Sequence, residues 1–299
     1  MSGPSPALQA ALADTAREID ARFDALLAVP DDARADLYRA MRHAAIGGGK
    51  RLRPLLVFAT AQIFGCDRGA VARVGAAIEA IHVYSLIHDD LPAMDDDDMR
   101  RGKPTVHKAF DEATAILAGD SLQTLAFEIL SDPATHPDPF VRAELVLELA
   151  RASGAAGMAG GQAMDLEAER AQFDLATVSR LQALKTGALI AVSVEAGAIL
   201  GRLPPEGRTG LRGYARDIGL AFQIVDDLID VEGDEAAAGK KLRKDAEAGK
   251  ETFVSLLGAD RARERCRLLI DQAIAHLRHY GREADLLRDI AHYVLERDR

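Results

Sequence analysis

The sequence predicts an all-α fold, and three observations carry the prediction. Aromatic residues are 5% of the chain and tryptophan is absent, while Ala, Leu, Glu and Arg fill long stretches between Gly and Pro breaks. Val71, Val74, Ile78 and Ile81 step by three, four and three, laying an apolar stripe along one face of a helix. Phe222, Asp226 and Asp230 step by four, so the two acids share a face of a second helix, with Gln223 and Asp227 beside them.

Taken in order, helices are predicted at about 6–27, 32–45 and 52–64, the last two parted by Gly47-Gly48-Gly49. The striped helix follows at about 68–88 and runs straight into Asp89, with Pro92 marking the break beyond it. Further helices at about 105–130 and 140–152 are separated by Pro133 to Pro139. Those at about 155–169, 175–200 and 207–232 follow, with Pro204-Pro205 before the last. The stretch Gly233 to Lys250 precedes the final pair, at about 259–279 and 283–297. No break is long or low-complexity enough to be an interdomain linker, which favours one domain spanning residues 1–299. No fixed-period repeat is visible.

A formal charge of -10 and a pI near 5.3 exclude the basic footprint of a nucleic-acid binder. An anionic substrate must then be met by local cations or by metal. Cys66 and Cys266 are too few for a disulfide framework or a zinc site. The N-terminus lacks the basic start and apolar core of a secretory signal, so a cytoplasmic location is expected. Ala188 to Gly201 is interrupted by Glu195 and is too short for a bilayer core of about 30 Å, so it reads as a buried helix and not as a membrane span.

Two aspartate clusters carry the chemistry. Asp89-Asp90-Leu91-Pro92-Ala93-Met94-Asp95 continues into three more aspartates, and Asp226-Asp227-Leu228-Ile229-Asp230 lies well over a hundred residues later. Crowded carboxylates repel one another, and a shared hard cation relieves the repulsion. Magnesium and a phosphate-bearing substrate follow. Asp89 and Asp95 are six apart, on different faces of a regular helix, so the chain should loosen near Pro92 for them to converge. Arg100 and Arg101 then reverse the charge with a fork geometry suited to phosphate.

Upstream, Gly47-Gly48-Gly49 lets backbone approach an anion closely, and Lys50 and Arg53, three apart, can face one phosphate at a helix start. A Walker loop is excluded because the strand context and the Gly-Lys-Ser/Thr ending are missing. Lys185-Thr186-Gly187 interrupts a helical pattern where glycine could expose carbonyls to a cavity. Lys240 and Lys250 bring cations soon after the second acidic cluster.

Together these segments resemble the trans-prenyltransferases, the polyprenyl diphosphate synthase family, over essentially the whole chain. Five motifs occur in the family's order: GGGKRLRP at 47–54, HDDLPAMDDDDMRRGKPTVHKAF at 88–110, KTG at 185–187, FQIVDDLID at 222–230, and GK followed by DxxxxKxT at 239–252. The DDxxxxD form at 89–95 is similar to the bacterial type of farnesyl diphosphate synthase.

The resemblance implies a helical bundle of the isoprenoid synthase type around a central cavity, working as a homodimer. It makes Asp89, Asp90, Asp95, Asp226, Asp227 and Asp230 the carboxylates for magnesium, about three ions per site, with manganese as a possible substitute. Arg100, Lys185, Lys240 and Lys250 would complete the pocket for an allylic diphosphate. Gly49, Lys50, Arg53, His82 and Arg101 would hold isopentenyl diphosphate, and Thr186 and Gln223 would flank the reacting carbons. By itself His82 reads as a core histidine, so its role rests on the family.

Tyr84, five residues before Asp89 and about 7.5 Å down the helix, would floor the pocket and favour a C15 product. Geranylgeranyl diphosphate synthase, differing only in pocket depth, stays open as the alternative, as does a non-catalytic partner subunit. A class I terpene cyclase would share the metal motif but has no reason to keep Lys50, Arg53 and Arg101. Arg243 stands where the family often carries a small residue.

Overall fold

The computed structural model describes residues 4–232 and 250–296, and helices are numbered here in order among them. Ser5 and Pro6 open α1 (Pro6–Leu26), with the Ser5 hydroxyl accepting from the Leu8 amide. α2 (Ala35–Ala45) and α3 (Leu52–Ile63) flank the glycine loop. Aspartates cap the next long helices by accepting from a backbone N–H two or three residues on. Asp67 opens α4 (Arg68–Asp89), Asp111 opens α6 (Glu112–Ser131), and Asp138 opens α7 (Pro139–Ser153).

The Asp111 cap divides the helix expected at 105–130 into a single turn, α5 (Val106–Ala109), and α6. α8 (Met158–Glu167) and α9 (Leu175–Gln182) follow, and α9 passes through a π-helical turn at Ala183–Gly187 into α10 (Ala188–Leu200). α11 (Thr209–Glu232) carries the second aspartate cluster. A capping box between Thr252 and Ser255 forms α12 (Phe253–Leu257), outside the expected ranges, and α13 (Ala259–His276) and α14 (Asp285–Glu296) complete the described chain.

A two-residue hairpin was also unexpected. β1 (Met99–Arg100) pairs antiparallel with β2 (Lys103–Pro104). Its turn residues Arg101 and Gly102 both have positive φ, 52° and 76°, the pattern of a type I′ turn. The charged run had masked this X-Gly turn signal.

The apolar stripe on α4 is buried, but so are Ala76, Ala77, Ala80 and Val83 on its other faces. This helix is therefore central, not amphipathic. α3 and α10 also serve two sides. Val57 and Ala61, with Leu189, Val192 and Ile199, join a cluster with α1, α4, α6 and α7. Leu55, Leu56 and Ala59, with Ile190, Val194 and Ala198, join a second cluster with α11, α13 and α14. Arg68–Asp89 and the continuous run Leu175–Leu200 are long and apolar enough to cross a bilayer by length and composition; 67% and 56% of their most apolar windows are buried inside the fold.

Candidate active site

α4 ends where its carboxylates begin. Beyond Asp90 the chain turns through Pro92, and the Asp95 amide donates to the Asp89 carbonyl at 2.8 Å. The turn thus returns Asp95 to Asp89 despite their six-residue separation. Burial pushes the Asp89 carboxyl up to about 6; Lys185 opposes the shift, and Asp95 and Asp90 add to it. Asp90 faces inward at 3% exposed and accepts from Arg100 Nε at 2.6 Å.

Two pieces of backbone hold the glycine loop beside this turn. Gly49 has φ of 81°, and a Cβ there would sit 2.6 Å from the Arg101 Cζ, so the guanidinium lies directly on the loop. Arg51 takes a left-handed conformation (φ 51°) before α3. Its buried guanidinium donates to Glu79 at 2.7 Å, Asp20 at 2.6 Å and the Ala45 carbonyl at 2.5 Å. This network fixes the start of α3, with Lys50 just before it and Arg53 in its first turn.

Gly49, Lys50, Arg53, His82 and Arg101 line one cavity of about 310 Å³, with Glu79, Ile190, Phe222 and Tyr293 completing it. Burial depresses the Arg53 and Arg101 guanidiniums, and the Glu79 carboxylate works against that in both. Arg53 Nε is buried with no hydrogen-bond partner among the described residues. Burial, then Arg53, Arg101, Arg100 and Arg51, drive His82 well below the usual imidazole range, so it is neutral.

Arg53 and His82 also wall a second cavity, about 260 Å³, lined by Tyr84, His88, Asp89, Met158, Gln162, Lys185 and Thr186. Tyr84 is 8% exposed and meets His88 edge to face, with ring centroids 5.7 Å apart. Burial raises its hydroxyl, and a hydrogen bond with Gln123 opposes the rise. Lys185 and Thr186 lie in the π-turn. α8 approaches that turn so closely that a Cβ at Gly161 would be 2.2 Å from the Lys185 amide nitrogen.

The second aspartate cluster is split by its own geometry. Asp226 and Asp230 are half-buried on one face of α11, and the Asp226 charge reaches Arg53. Asp227 lies about 100° round the helix, is 5% exposed, and its Oδ2 accepts the Phe253 amide at 2.7 Å. It anchors the entry to α12. Gln223, one turn earlier, is 9% exposed. Lys240 and Arg243 lie outside the described residues.

Three charged groups at the site escaped the sequence reading. Asp165, on α8, accepts from Lys185 at 2.8 Å and from Lys250 at 3.0 Å through one oxygen. Nothing local in the sequence marks it. Glu79 had a signal: an acid in the interior of an apolar helix, 2% exposed, needs a buried cation. Arg51 was quoted within a motif but given no role.

Among the described residues, Asp96, Asp98 and His107 bring metal-ligand atoms within 4.8 Å of one another; Asp89, Asp95 and Asp226 are not in that group. Asp98 also pairs with Lys108 at 2.9 Å. Asp89 and Asp95 nonetheless fit magnesium by the chemistry of their donors. They offer only oxygen, and the raised Asp89 carboxyl records crowding and burial that a hard dication relieves.

Known proteins resemble this chain over most of its length. The Escherichia coli (strain K12) farnesyl diphosphate synthase is 49% identical over 267 residues, 87% of this chain and 88% of that protein. The Geobacillus stearothermophilus farnesyl diphosphate synthase is 44% identical over 88% of this chain and 89% of its own. The apo crystal structure of an FPP/GFPP synthase from Zymomonas mobilis is 58% identical and superposes with a TM-score of 0.89, covering 96% of this chain and 98% of that one. The family model described as Polyprenyl synthetase matches residues 34–290, and the chain belongs to that family.

Proposed function

We propose that this protein is a magnesium-dependent short-chain prenyl diphosphate synthase. It condenses isopentenyl diphosphate head to tail with dimethylallyl or geranyl diphosphate and gives mainly farnesyl diphosphate, C15. The observation that carries this reading is the wall shared by the two cavities. One side is a cationic chamber under the glycine loop; the other runs from Asp89 and Lys185 to Tyr84; Arg53 and His82 belong to both.

In this reading Gly49, Lys50, Arg53, His82 and Arg101 bind isopentenyl diphosphate. His82, being neutral, donates or accepts one hydrogen bond without adding charge. Arg100, Lys185, Lys250 and Lys240 bind the allylic diphosphate. Asp89, Asp90, Asp95, Asp226, Asp227 and Asp230 are the carboxylates assigned to magnesium, with Asp90 and Asp227 also serving the fold. Bound magnesium supplies charge neutralisation for the leaving diphosphate. The lysine ammonium groups hold that diphosphate as the allylic C–O bond ionises. The Thr186 and Gln223 side chains flank the carbons while the isopentenyl double bond attacks. The proton lost in that step passes to the departing diphosphate, so no nucleophilic side chain is needed. The apolar walls exclude water from the cation.

Incubation with isopentenyl and geranyl diphosphates plus magnesium, with products sized by chromatography, tests the reading; absence of any condensation product overturns it.

We further infer that residues 1–299 are one domain, supported by α3 and α10 feeding both apolar clusters, and that the enzyme acts in the cytoplasm. It works as a homodimer through α6 and α7, where Ile116, Leu117, Phe140 and Leu147 are 45%, 55%, 82% and 47% exposed. Phe140→Asp combined with Leu117→Glu should convert a dimer to a monomer in light scattering; an unchanged mass removes this face from the interface.

A further inference from the structure

Lys185 and Lys250 come from distant stretches of chain, one in the π-turn and one just before α12, yet both donate to the same Asp165 oxygen at 2.8 and 3.0 Å. All three side chains are largely covered, at 27%, 13% and 14% exposed for Lys185, Lys250 and Asp165. The two ammonium nitrogens are therefore less than about 6 Å apart, where like charges repel appreciably. Burial works to raise the Asp165 carboxyl, and the two lysines outweigh it and hold the group ionised.

We propose that Asp165 is a positioning residue for the allylic diphosphate. Its carboxylate is the counter-ion that fixes both lysines in one geometry before substrate arrives. An ammonium group carries three donors, so Lys185 spends one on Asp165 and keeps two for phosphate oxygens, while Lys250, which also meets Glu169, keeps one. Asp165 need not be displaced when the diphosphate binds.

Two features of α8 support this assignment, and the one other acid on Lys250 among the described residues does not replace Asp165. Gly161, one turn before Asp165, lets α8 press against the backbone of Lys185 itself. Gln162, on the same helix, lines the cavity with its Nε2 buried and without a partner among the described residues. Glu169 takes a further Lys250 contact at 3.2 Å, but it is 46% exposed and does not reach both lysines. Without Asp165 the two flexible ammonium groups repel, splay, and meet the diphosphate only at the entropic cost of reassembling.

This inference rests on the synthase reading, so wild-type condensation of isopentenyl with geranyl diphosphate is established first. Given that activity, Asp165→Asn should raise KM for geranyl diphosphate at least tenfold and leave KM for isopentenyl diphosphate within twofold. In a Lys185→Ala/Lys250→Ala background the same substitution should change the geranyl diphosphate KM less than twofold, because the groups it positions are gone. A merely structural role would give similar losses in both backgrounds. An unchanged geranyl diphosphate KM in Asp165→Asn, equal effects on both substrates, or full additivity overturns the proposal. Should Asp165→Asn fail to fold, Asp165→Glu, which keeps the charge but moves the oxygen, is put through the same cycle and read by the same criteria.

Discussion

The His88 imidazole rests directly on Gly119: a Cβ at Gly119 would lie 2.1 Å from His88 Nε2. The same ring nitrogen meets the Ile116 carbonyl at 3.1 Å, and the ring packs edge to face on Tyr84. α6 thus supports the Tyr84 and His88 lining of the second cavity through a position with no side chain. Gly119→Ala should destabilise the protein by about 1–3 kcal/mol through overpacking, measured by urea denaturation. Adding His88→Ala should recover most of that loss. Wild-type stability in the single variant would contradict the contact.

Tyr84 is proposed to stop chain growth because it is buried, hydrogen-bonded to Gln123 and braced by His88. Tyr84→Ala opens the cavity along α4 and should shift the product from C15 toward C20 or longer. Chromatography of the dephosphorylated alcohols checks this, and unchanged C15 output rejects Tyr84 as the floor.

Glu79 and Arg51 are 2% and 1% exposed at the side chain and 2.7 Å apart. Glu79→Gln leaves a buried guanidinium short of its counter-charge and should cost about 3–5 kcal/mol. It should also raise KM for isopentenyl diphosphate, since the junction of the glycine loop and α3, which carries Lys50 and Arg53, loses its anchor. Equilibrium unfolding and steady-state kinetics read the two effects; a loss under 1 kcal/mol would show Asp20 alone sufficient to hold Arg51.

The Asp89 carboxyl lies at about 6 in the folded chain against an ordinary 3.8. Its ionised form is disfavoured by folding, so above pH 6 the group subtracts stability, and the penalty disappears as pH falls from 6 to 4. In metal-free protein, Asp89→Asn should gain on the order of 2–3 kcal/mol at pH 8 and nothing at pH 4. Magnesium should raise the wild-type melting temperature at pH 8 more than at pH 5. Turnover of Asp89→Asn should fall at least a hundredfold. A variant no more stable than wild type at pH 8 would show that the Asp89 carboxylate is not strained.

Much of this protein could be read without coordinates. Helix periodicity, glycine and proline breaks and the charged motifs act over a few residues, so they placed α1, α3, α4 and α11 close to where they lie. The two aspartate clusters and the glycine loop likewise pointed to magnesium and a phosphate-bearing substrate, and the order of the motifs supplied the resemblance to prenyl diphosphate synthases. What a side chain faces across the fold was not legible. Sequence could not separate Asp89 from Asp90, or Asp226 from Asp227. Packing turns one of each pair toward Arg100 or the Phe253 amide. Nor could it find Asp165, whose partner Lys250 is 85 residues away. Local rules specify where helices form and which chemistry they carry. Only close packing of α8 on the π-turn, and of α4 under the glycine loop, decides which buried charge answers which, because an ion pair depends on distance in space and not along the chain.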